Sequence, residues 1–333
     1  MANIKEIQNR IDSIQDTMKI TKAMYMMSSM KLRKAKSKLE ETEPFFYGVQ
    51  KGIAETLAHF PDMQHIFFDN RTKDQHEEVK KKGYIVITGD KGMAGAYNHN
   101  AMKEAMLLMG DLDPENSTVF CVGEVGRAFF VNNGYPVDEH FRYSANNASM
   151  HRARVITEYL IGLYLEEKLD EIYVIYTKMI NSATEETCVE QLLPLKTHTY
   201  LKEKASEDEE ATSTTPEGGL MDVSEVGKIN SYEKEAMENG DDWYQFYPSP
   251  KKVLERLVYN YVTGFMYGAL IECSACEENS RMLAMQTATD NAEAMLHDLS
   301  IEYNRVRQAA ITQEITEVIG GAKALKKKKK QVR

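Results

Sequence analysis

The stretch IKEIQNRIDSIQDTMKITKAMYMMSSMKLRKAKSKL, residues 4–39, places apolar or small residues at alternating spacings of three and four. This spacing is the seam of a coiled coil, in which one face of a helix packs along a second helix. The seam residues are Ile4, Ile7, Ile11, Ile14, Met18, Thr21, Tyr25, Ser28, Leu32, Ala35 and Leu39. The pattern predicts one helix of about 55 residues, which would span roughly 80 Å.

The C-terminal end of the chain carries a matching signal. All eight prolines lie between residues 44 and 250, so neither end contains the residue that most often breaks helix interiors. After residues 247–250 the sequence predicts helix to about Leu325, with Gly320 and Gly321 marking its end or a kink. The three-four spacing is kept by Leu296, Leu299, Tyr303, Val306 and Ala310. Two such helices predict a long antiparallel coiled coil.

The middle of the chain alternates strand and helix signals. The predicted strands are residues 84–88, 118–123, 171–178 and 187–195, and the predicted helices are residues 98–109, 124–133 and 149–168. This rhythm predicts a small open sheet flanked by helices. The fold class is therefore α/β: a long antiparallel coiled coil of N- and C-terminal helices plus a central Rossmann-like α/β domain.

Charge and composition divide the chain further. Residues 202–245 hold 13 acidic residues and 4 lysines, so this segment accounts for −9 of the formal net charge of −10. It is also rich in Ser, Thr and Gly, which predicts a loop with little fixed structure. The predicted domains are residues 1–60 (N-terminal shaft helix), 80–200 (central α/β domain), 201–242 (acidic mobile insertion), 248–325 (C-terminal shaft helix) and 326–333 (basic tail).

The stretch GYIVITGDKGMAGAYN, residues 83–98, raises the question of nucleotide binding, because it places a glycine-rich turn after an apolar strand. Its glycines are spaced GxxGxxG, whereas the dinucleotide fingerprint is GxGxxG and a Walker loop needs GxxxxGK[ST]. The preferred interpretation is therefore structural: the glycines allow a tight turn and close packing. A Rossmann-type nucleotide enzyme with a ligand at Gly89–Gly95 is the alternative.

Other catalytic and metal-binding patterns are missing from the sequence. The eight histidines include no pair at i, i+4, and no GxSxG elbow occurs. Cys273 and Cys276 form a CxxC, which we interpret as two small side chains on one helix face, because no second ligand pair is visible. We therefore predict no catalytic residue, no cofactor and no metal.

No stretch approaches the roughly 18 to 20 apolar residues of a membrane-spanning helix. The opening residues MANIKEIQNRIDS resemble neither a secretory signal nor an Arg/Ser-rich transit peptide. We therefore expect the protein to stay in the compartment where it is made.

A basic stripe runs from Lys19 to Lys38, with seven basic residues and no acidic one. It is interleaved with methionines at 24, 26, 27 and 30 rather than with aromatic residues placed for base stacking. Nucleic-acid binding is therefore not expected. A solvated helix face is the simplest interpretation of such a stripe.

Three segments, taken in order along the chain, carry a family signal. They are TMKITKAMYMMSSMKLRKAK (17–36), SRMLAMQTATDNA (280–292) and EYNRVRQAAITQEITEVIGGAKA (302–324). Together they closely resemble the gamma subunit of rotary, F-type ATP synthase, and the third contains that family's C-terminal signature. The stretch VITGDKGMAGAYN (86–98) also resembles the family's first strand and turn, which binds no nucleotide. The resemblance covers nearly the whole chain except residues 202–241 and the tail.

The resemblance implies a non-catalytic, central-stalk rotor subunit. The terminal helices would form a shaft inside a ring of alpha and beta subunits, and the middle would meet the epsilon subunit and the membrane c ring. Ion-driven rotation would then be coupled to ATP synthesis or hydrolysis. Membrane association would arise only through the complex, at the cytoplasmic face of a bacterial plasma membrane.

Individual contacts are implied by matching positions. Those expected to contact the alpha/beta hexamer are Lys22, Met24, Lys31, Arg33, Arg281, Arg307, Gln308, Thr312, Gln313, Glu314 and Glu317. The c ring or epsilon is expected to contact Trp243, Tyr244, Phe246 and Tyr247. For the shaft positions an ordinary coiled-coil surface is the alternative, and for the aromatic run it is core packing within the middle domain.

The acidic insertion falls close to the position where chloroplast gamma subunits carry a regulatory insert with a cysteine pair. Residues 189–272 contain no cysteine, so thiol control of that kind is not expected. A coiled-coil scaffold unrelated to rotation remains a rival interpretation of the whole chain. It predicts self-association through the heptad seam.

Overall fold

The computed structural model describes residues 4–60, 63, 65–68, 80–110, 113–181, 184–196 and 246–331, with side chains up to residue 323 in the last of these ranges. The chain divides into two compact units. One combines Met1–Ser28 with Met282–Arg333, and the other is Ser29–Arg281. The predicted acidic insertion and Trp243 and Tyr244 lie outside the described residues.

The described residues form five helices and four strands. In chain order they are α1 (Ile4–His59), β1 (Lys82–Ile87), α2 (Tyr97–Met109), β2 (Ser117–Val122), α3 (Glu124–Asn132), α4 (Met150–Leu165), β3 (Glu171–Met179), β4 (Glu185–Leu193) and α5 (Pro250–Gln331). Every strand and helix predicted for the middle of the chain is present. Most of their ends lie within two residues of the expected positions.

The four strands form one sheet in the order β2-β1-β3-β4. β1 pairs in parallel with both β2 and β3, in the registers Val86↔Cys121 and Val86↔Ile175. β4 pairs antiparallel with β3. The parallel strands are connected through helices, as parallel pairs require. The α/β prediction is confirmed, with the addition of an antiparallel edge strand.

Apolar residues explain where the core of the sheet lies. β1 is buried over all but its first residue, as expected for a strand covered on both faces. One core cluster includes Tyr84, Val86, Cys121, Phe130 and Ile175, together with buried residues of α2. The ring of Tyr84 stacks on that of the neighbouring Tyr173, with centroids 5.8 Å apart.

Within the unit Met1–Ser28 plus Met282–Arg333, α1 and α5 pair as the heptad seam predicts. The hydroxyls of Thr21 and Thr289 lie 2.8 Å apart and are buried. Every seam residue from Ile4 to Leu39 is buried or half-buried, while most residues between them are exposed. The small side chains at the seam therefore allow the close approach expected from the sequence.

Within the unit Ser29–Arg281 the same two helices pair again. The rings of Phe46 and Tyr261 stack with centroids 5.3 Å apart. Gly264 lies against Phe46, and a Cβ at this glycine would be 3.4 Å from the ring. Phe46 lies against Gly264, whereas Gly52, later in α1, lies against Leu257, earlier in α5, so the helices run antiparallel.

The long N-terminal helix is present as expected, and one expectation about the end of the C-terminal helix needs correction. α1 continues through Pro44, which lies inside the helix and is exposed. α5 does not end at Gly320 or Gly321 but continues to Gln331, six residues past the expected Leu325. Glycine lowers helix propensity by only about 1 kcal/mol relative to alanine, which neighbouring helix-forming residues offset.

Candidate functional site

The basic face of α1 begins with Lys22, in the unit that contains the N-terminus. Its ammonium lies 2.9 Å from Oε1 of Glu293 on α5. Both side chains are about half exposed, at 50% and 55%. An exposed pair of this kind contributes only about 0 to 1 kcal/mol. Lys22 can therefore exchange this partner for another carboxylate at little cost.

Four charged side chains form an ion cluster in the unit Ser29–Arg281. Lys31 donates to Glu278 at 2.8 Å, and Arg281 contacts the same Glu278 oxygen at 3.0 Å. Arg281 also pairs with Glu277, one turn earlier on α5. Burial raises the pKa of Glu277, although the hydrogen bond from Arg281 acts in the opposite direction.

This cluster changes how Arg281 is interpreted. Its side chain is only 10% exposed and is held by two carboxylates of its own helix. Sequence reasoning placed it among the residues that contact a partner ring, without foreseeing the internal pairing. The internal role is established by the geometry, and the contact with a ring stays a prediction.

Apolar side chains remain exposed among the basic residues of α1. Met24 is half-buried, and Arg33 is exposed. The exposed apolar residues of this region are Ile20, Met26, Met27 and Met30, all of them at least half exposed. Methionine is flexible and polarizable, so it can pack against surfaces of different shape.

The last described turns of α5 are exposed on every side from residue 311 to residue 323. The predicted contact residues Arg307, Gln308, Thr312, Gln313, Glu314 and Glu317 are all exposed. Some are fixed locally: the Thr312 hydroxyl donates to the Gln308 carbonyl at 2.8 Å, and the Gln313 amide donates to Glu317 at 3.0 Å.

Sequence reasoning missed the apolar residues of the same turns. Ile311, Ile315, Val318 and Ile319 are 47%, 54%, 72% and 50% exposed. Their spacing of i, i+4, i+7 and i+8 places them along one stripe of the helix. This spacing is visible in ITQEITEVI and could have revealed the stripe. We call these four residues the apolar stripe.

The aromatic run before α5 is only partly described. Phe246 packs edge-on against Phe60, with ring centroids 5.4 Å apart, and lies 6.3 Å from the ring of His59. Tyr247 is 91% exposed. The two alternatives for this run therefore apply to different residues: Phe246 packs within the unit, and Tyr247 is available to a partner.

The glycine-rich turn is fixed by Asp90. Its carboxylate accepts hydrogen bonds from the side chain of Ser144, the backbone and side-chain amides of Asn146 and the backbone N–H of Glu124. A Cβ at Gly89 would lie 2.8 Å from the Glu277 carboxylate, and Gly95 has φ +55°. Close approach and a left-handed backbone thus explain two of the three glycines. Gly92 has open space around it.

The CxxC on α5 packs against β3. The carbonyl of Thr177 lies 3.8 Å from the Cys273 sulfur and 3.5 Å from the Cys276 sulfur. Both side chains are buried, and burial raises the pKa of Cys273 to about 12. Such thiols are unreactive near neutral pH. The interpretation of two small side chains on one helix face is confirmed.

In the described part of the chain, no group of three or more His, Cys, Asp or Glu residues is arranged to hold a metal ion. No described helix combines the length and apolar character needed to cross a membrane.

Comparison with known proteins relates the whole chain to one family. The model of the family described as ATP synthase matches residues 3–325. The ATP synthase gamma chain of Ruminiclostridium cellulolyticum is 39% identical over 323 residues, which is 97% of this chain and 99% of that one. The gamma chain of Acetivibrio thermocellus is 41% identical, covering 98% and 100%.

A third relative has an ion in its name. The protein of Acetobacterium woodii called "ATP synthase gamma chain, sodium ion specific" is 36% identical over 326 residues, covering 97% of this chain and 99% of that one.

Solved structures share the fold at low sequence identity. A chain of the mitochondrial ATP synthase of Euglena gracilis, in a structure of OSCP, F1 and c-ring, has a TM-score of 0.59 at 15% identity. The match covers 97% of this chain and 94% of that one. A chain of the Tetrahymena thermophila central stalk and c-ring gives 0.53 at 20%, covering 81% and 99%.

Proposed function

The chain belongs to the ATP synthase gamma-chain family, and from this premise we propose that it is the central-stalk rotor subunit of an F-type ATP synthase. Its terminal helices turn within a ring of alpha and beta subunits, and its α/β region meets epsilon and the c ring. Solved structures of the same fold come from central-stalk and F1–c-ring assemblies, which supports these partners.

The apolar stripe is the observation that carries the proposal. Four large aliphatic side chains of α5 lie about half or more exposed, on a helical segment that no other described part of the chain covers. Burying one such side chain is worth about 1.5 to 3 kcal/mol. A ring of partner subunits that encloses these turns would supply that burial.

The middle of the shaft suits a contact that must be made and broken. A rotor shifts the state of a catalytic partner only if it binds the partner's conformations with different free energies. The half-exposed Lys22, the exposed Arg33 and the exposed methionines offer weak, exchangeable contacts. We propose that Lys22, Met24, Lys31 and Arg33 face acidic loops of the beta subunits in turn. Arg281 acts indirectly, because it holds the Glu277 and Glu278 carboxylates beside Lys31.

At the C-terminal end the polar residues flank the apolar stripe. We propose that Arg307, Gln308, Thr312, Gln313, Glu314 and Glu317 contact the upper part of the hexamer. At the other end of α5, the 91% exposed Tyr247 is proposed to contact epsilon or the c ring, together with Trp243 and Tyr244. Phe246 supports Tyr247 from within through Phe60.

The proposed subunit has no catalytic site of its own. The glycine-rich turn supports this, because the Glu277 carboxylate lies against Gly89, where it would repel a phosphate. The subunit would be peripheral, held at the cytoplasmic face of a bacterial plasma membrane through its complex.

Bead rotation tests the rotor proposal directly. The full chain is co-expressed with the alpha and beta subunits of the same genome, and a bead is attached at L107C, an exposed position on α2. A C188S background removes the half-buried thiol, while Cys121, Cys273 and Cys276 are buried and resist labelling. We expect rotation in one direction, dependent on ATP. A stable complex whose bead stays still during ATP hydrolysis would reject the proposal.

A second variant tests the apolar stripe. I311Q/I315Q/V318Q should lower the yield of the assembled alpha–beta–gamma complex about tenfold or more, because polar side chains lose the burial energy. The isolated chain should unfold as before, since these positions are exposed. The matched control is I301Q, an exposed isoleucine of α5 outside the stripe. Equal yields for all variants would show that the stripe is not an assembly surface.

A further inference from the structure

A cleft of about 300 Å³ opens in the unit Ser29–Arg281. Three elements form its walls: α1, α5 and the loop that precedes α4. The lining residues used below are Lys31, Lys34, Lys38, Asn147, Ala148 and Glu278. A volume of this size is at the lower end of the range for small-molecule sites.

One wall of the cleft is strongly basic. Lys31, Lys34 and Lys38 follow one another at three and four residues, so they share one face of α1. Lys31 is paired with Glu278, whose charge is also shared with Arg281. Lys38 donates to the neutral carbonyl of Ala148 at 3.3 Å. Within the described residues, the ammonium of Lys34 has no hydrogen-bond or ion-pair partner.

Two positive charges in the cleft are thus uncompensated. Lys34 and Lys38 are separated by one helical turn, roughly 6 Å along the axis of α1. Among the described residues, Glu278 is the only carboxylate that lines the cleft, and it is already engaged by Lys31 and Arg281. The charge of the cleft therefore favours an anion with two or more negative charges.

Asn147 and the start of α4 lie on the opposite wall. Asn147 and Ala148 line the cleft, and Ala148 is followed at once by Ser149, the N-cap of α4. The amino end of a helix carries partial positive charge, which favours an anion close to its first turn. This end of α4 is well formed, since the Ser149 hydroxyl accepts from the backbone N–H of Arg152 at 3.3 Å.

We infer that this cleft binds a small anion with linked phosphate groups, such as pyrophosphate or the diphosphate of a nucleotide. Lys34 and Lys38 would each hold one phosphate group, because lysine binds phosphate as a compact point charge. Asn147 and the amino end of α4 would lie on the other side. An acidic peptide is disfavoured, because a cleft of about 300 Å³ admits only a few side chains. The site is independent of the proposed rotor role.

Calorimetric titration of the full chain tests the inference. Inorganic pyrophosphate, ADP and adenosine are titrated separately, at low and at moderate salt. We expect pyrophosphate and ADP to bind, adenosine to fail, and salt to weaken binding. Tighter binding of ADP would identify a nucleotide, and equal binding would identify a phosphate anion, so both results support the site.

A charge-matched pair of variants locates the binding. K34Q/K38Q should weaken the binding of pyrophosphate at least tenfold. K19Q/K36Q removes the same charge from exposed positions of α1 that do not line the cleft, and it should change the affinity less than twofold. Circular dichroism verifies that both variants remain folded.

Several results would overturn the inference. Equal weakening by both variants would mean that pyrophosphate responds only to the general charge of α1. If adenosine bound as tightly as ADP, the phosphate groups would contribute nothing to binding. Failure of pyrophosphate and ADP to bind, with tight binding of a poly-glutamate peptide, would assign the cleft to an acidic protein segment instead.

Discussion

Two stretches of α5 have similar residues and opposite surroundings. In residues 254–281 most side chains are buried, including Val262 at 0% and Glu272 at 2% exposure. In residues 311–323 every side chain is exposed, including Val318 at 72%. The first stretch packs against α1 and the sheet, whereas no described residue covers the second.

The difference shows which part of α5 stabilises the chain itself and which part remains for a partner. In the buried stretch, Val262 and Arg281 stabilise the fold of the chain itself, and the buried Glu272 makes that stability depend on pH. At the exposed Arg307, Glu314 and Val318, the same residue types contribute almost nothing to that fold and remain available to a partner. Three matched substitutions, one residue type each, measure this contrast in the isolated full-length chain.

The largest effect is expected for arginine. R281M removes the cation that pairs with Glu277 and Glu278 in a buried cluster. Breaking a buried ion pair from one side typically costs about 3 to 5 kcal/mol, because the remaining charge is left uncompensated. Urea unfolding should show this loss in the free energy of unfolding. The matched R307M, at an exposed position, should change it by less than about 0.5 kcal/mol. A similar small change for R281M would mean that the cluster is solvated.

The second largest expected effect is a pH dependence of the free energy of unfolding, caused by Glu272. Burial raises the pKa of this carboxyl from 4.5 to about 7, although the backbone N–H of Met179 and the charge of Lys178 act the other way and Glu190 adds to the rise. The folded state therefore holds the proton more tightly than the unfolded state. The stabilisation is present below pH 4.5 and is lost as the pH rises through about 7.

E272Q should remove this loss, because an amide stays neutral at every pH. Relative to the parent chain, the variant should gain up to about 3 kcal/mol in unfolding free energy between roughly pH 5 and pH 8. Urea titrations at several pH values measure the difference. E314Q, at an exposed position of the same helix, serves as the control and should follow the parent chain. Parallel curves for E272Q and the parent would rule out Glu272 as the titrating group.

The smallest effect is expected for valine. V262A deletes two methyl groups from a fully buried position, which should cost about 2 kcal/mol once the remaining cavity is included. V318A should cost less than about 0.5 kcal/mol in the isolated chain. In the assembled complex V318A should become the more harmful of the two for subunit affinity, measured by dissociation on dilution. If V318A leaves that affinity unchanged, Val318 is not buried by a partner.

The coiled coil and the sheet could be predicted from the sequence because both rest on local periodicity. The three-four spacing places Thr21 and Ser28 on the seam, and their burial follows from that position. The strands around Val86 and Ile175 were equally visible as apolar runs between turn signals. The antiparallel pairing of β4 was not foreseen, although the five residues between β3 and β4 are too few for the crossover that a parallel pair requires.

The candidate site was only partly predictable. Arg33 and Glu314 are exposed, and their contacts with the hexamer stay a prediction. Arg281 was expected to contact the same hexamer and lies in a buried ion cluster. Its partners Glu277 and Glu278 are neighbours on α5, and only the packing of α1 and the sheet around them removes water. The cleft lined by Lys34 and Asn147 brings together residues more than a hundred positions apart, which no local pattern could reveal.

The sequence by itself therefore determined the long helices, the strands and the family, since these depend on spacing and on motifs within short windows. Only the tertiary structure decided which of the charged and apolar side chains are buried. Burial is a property of what lies across from a residue, and that is set by chain segments far away in the sequence. The same arginine or valine thus stabilises the fold in one part of α5 and is left for a partner in another.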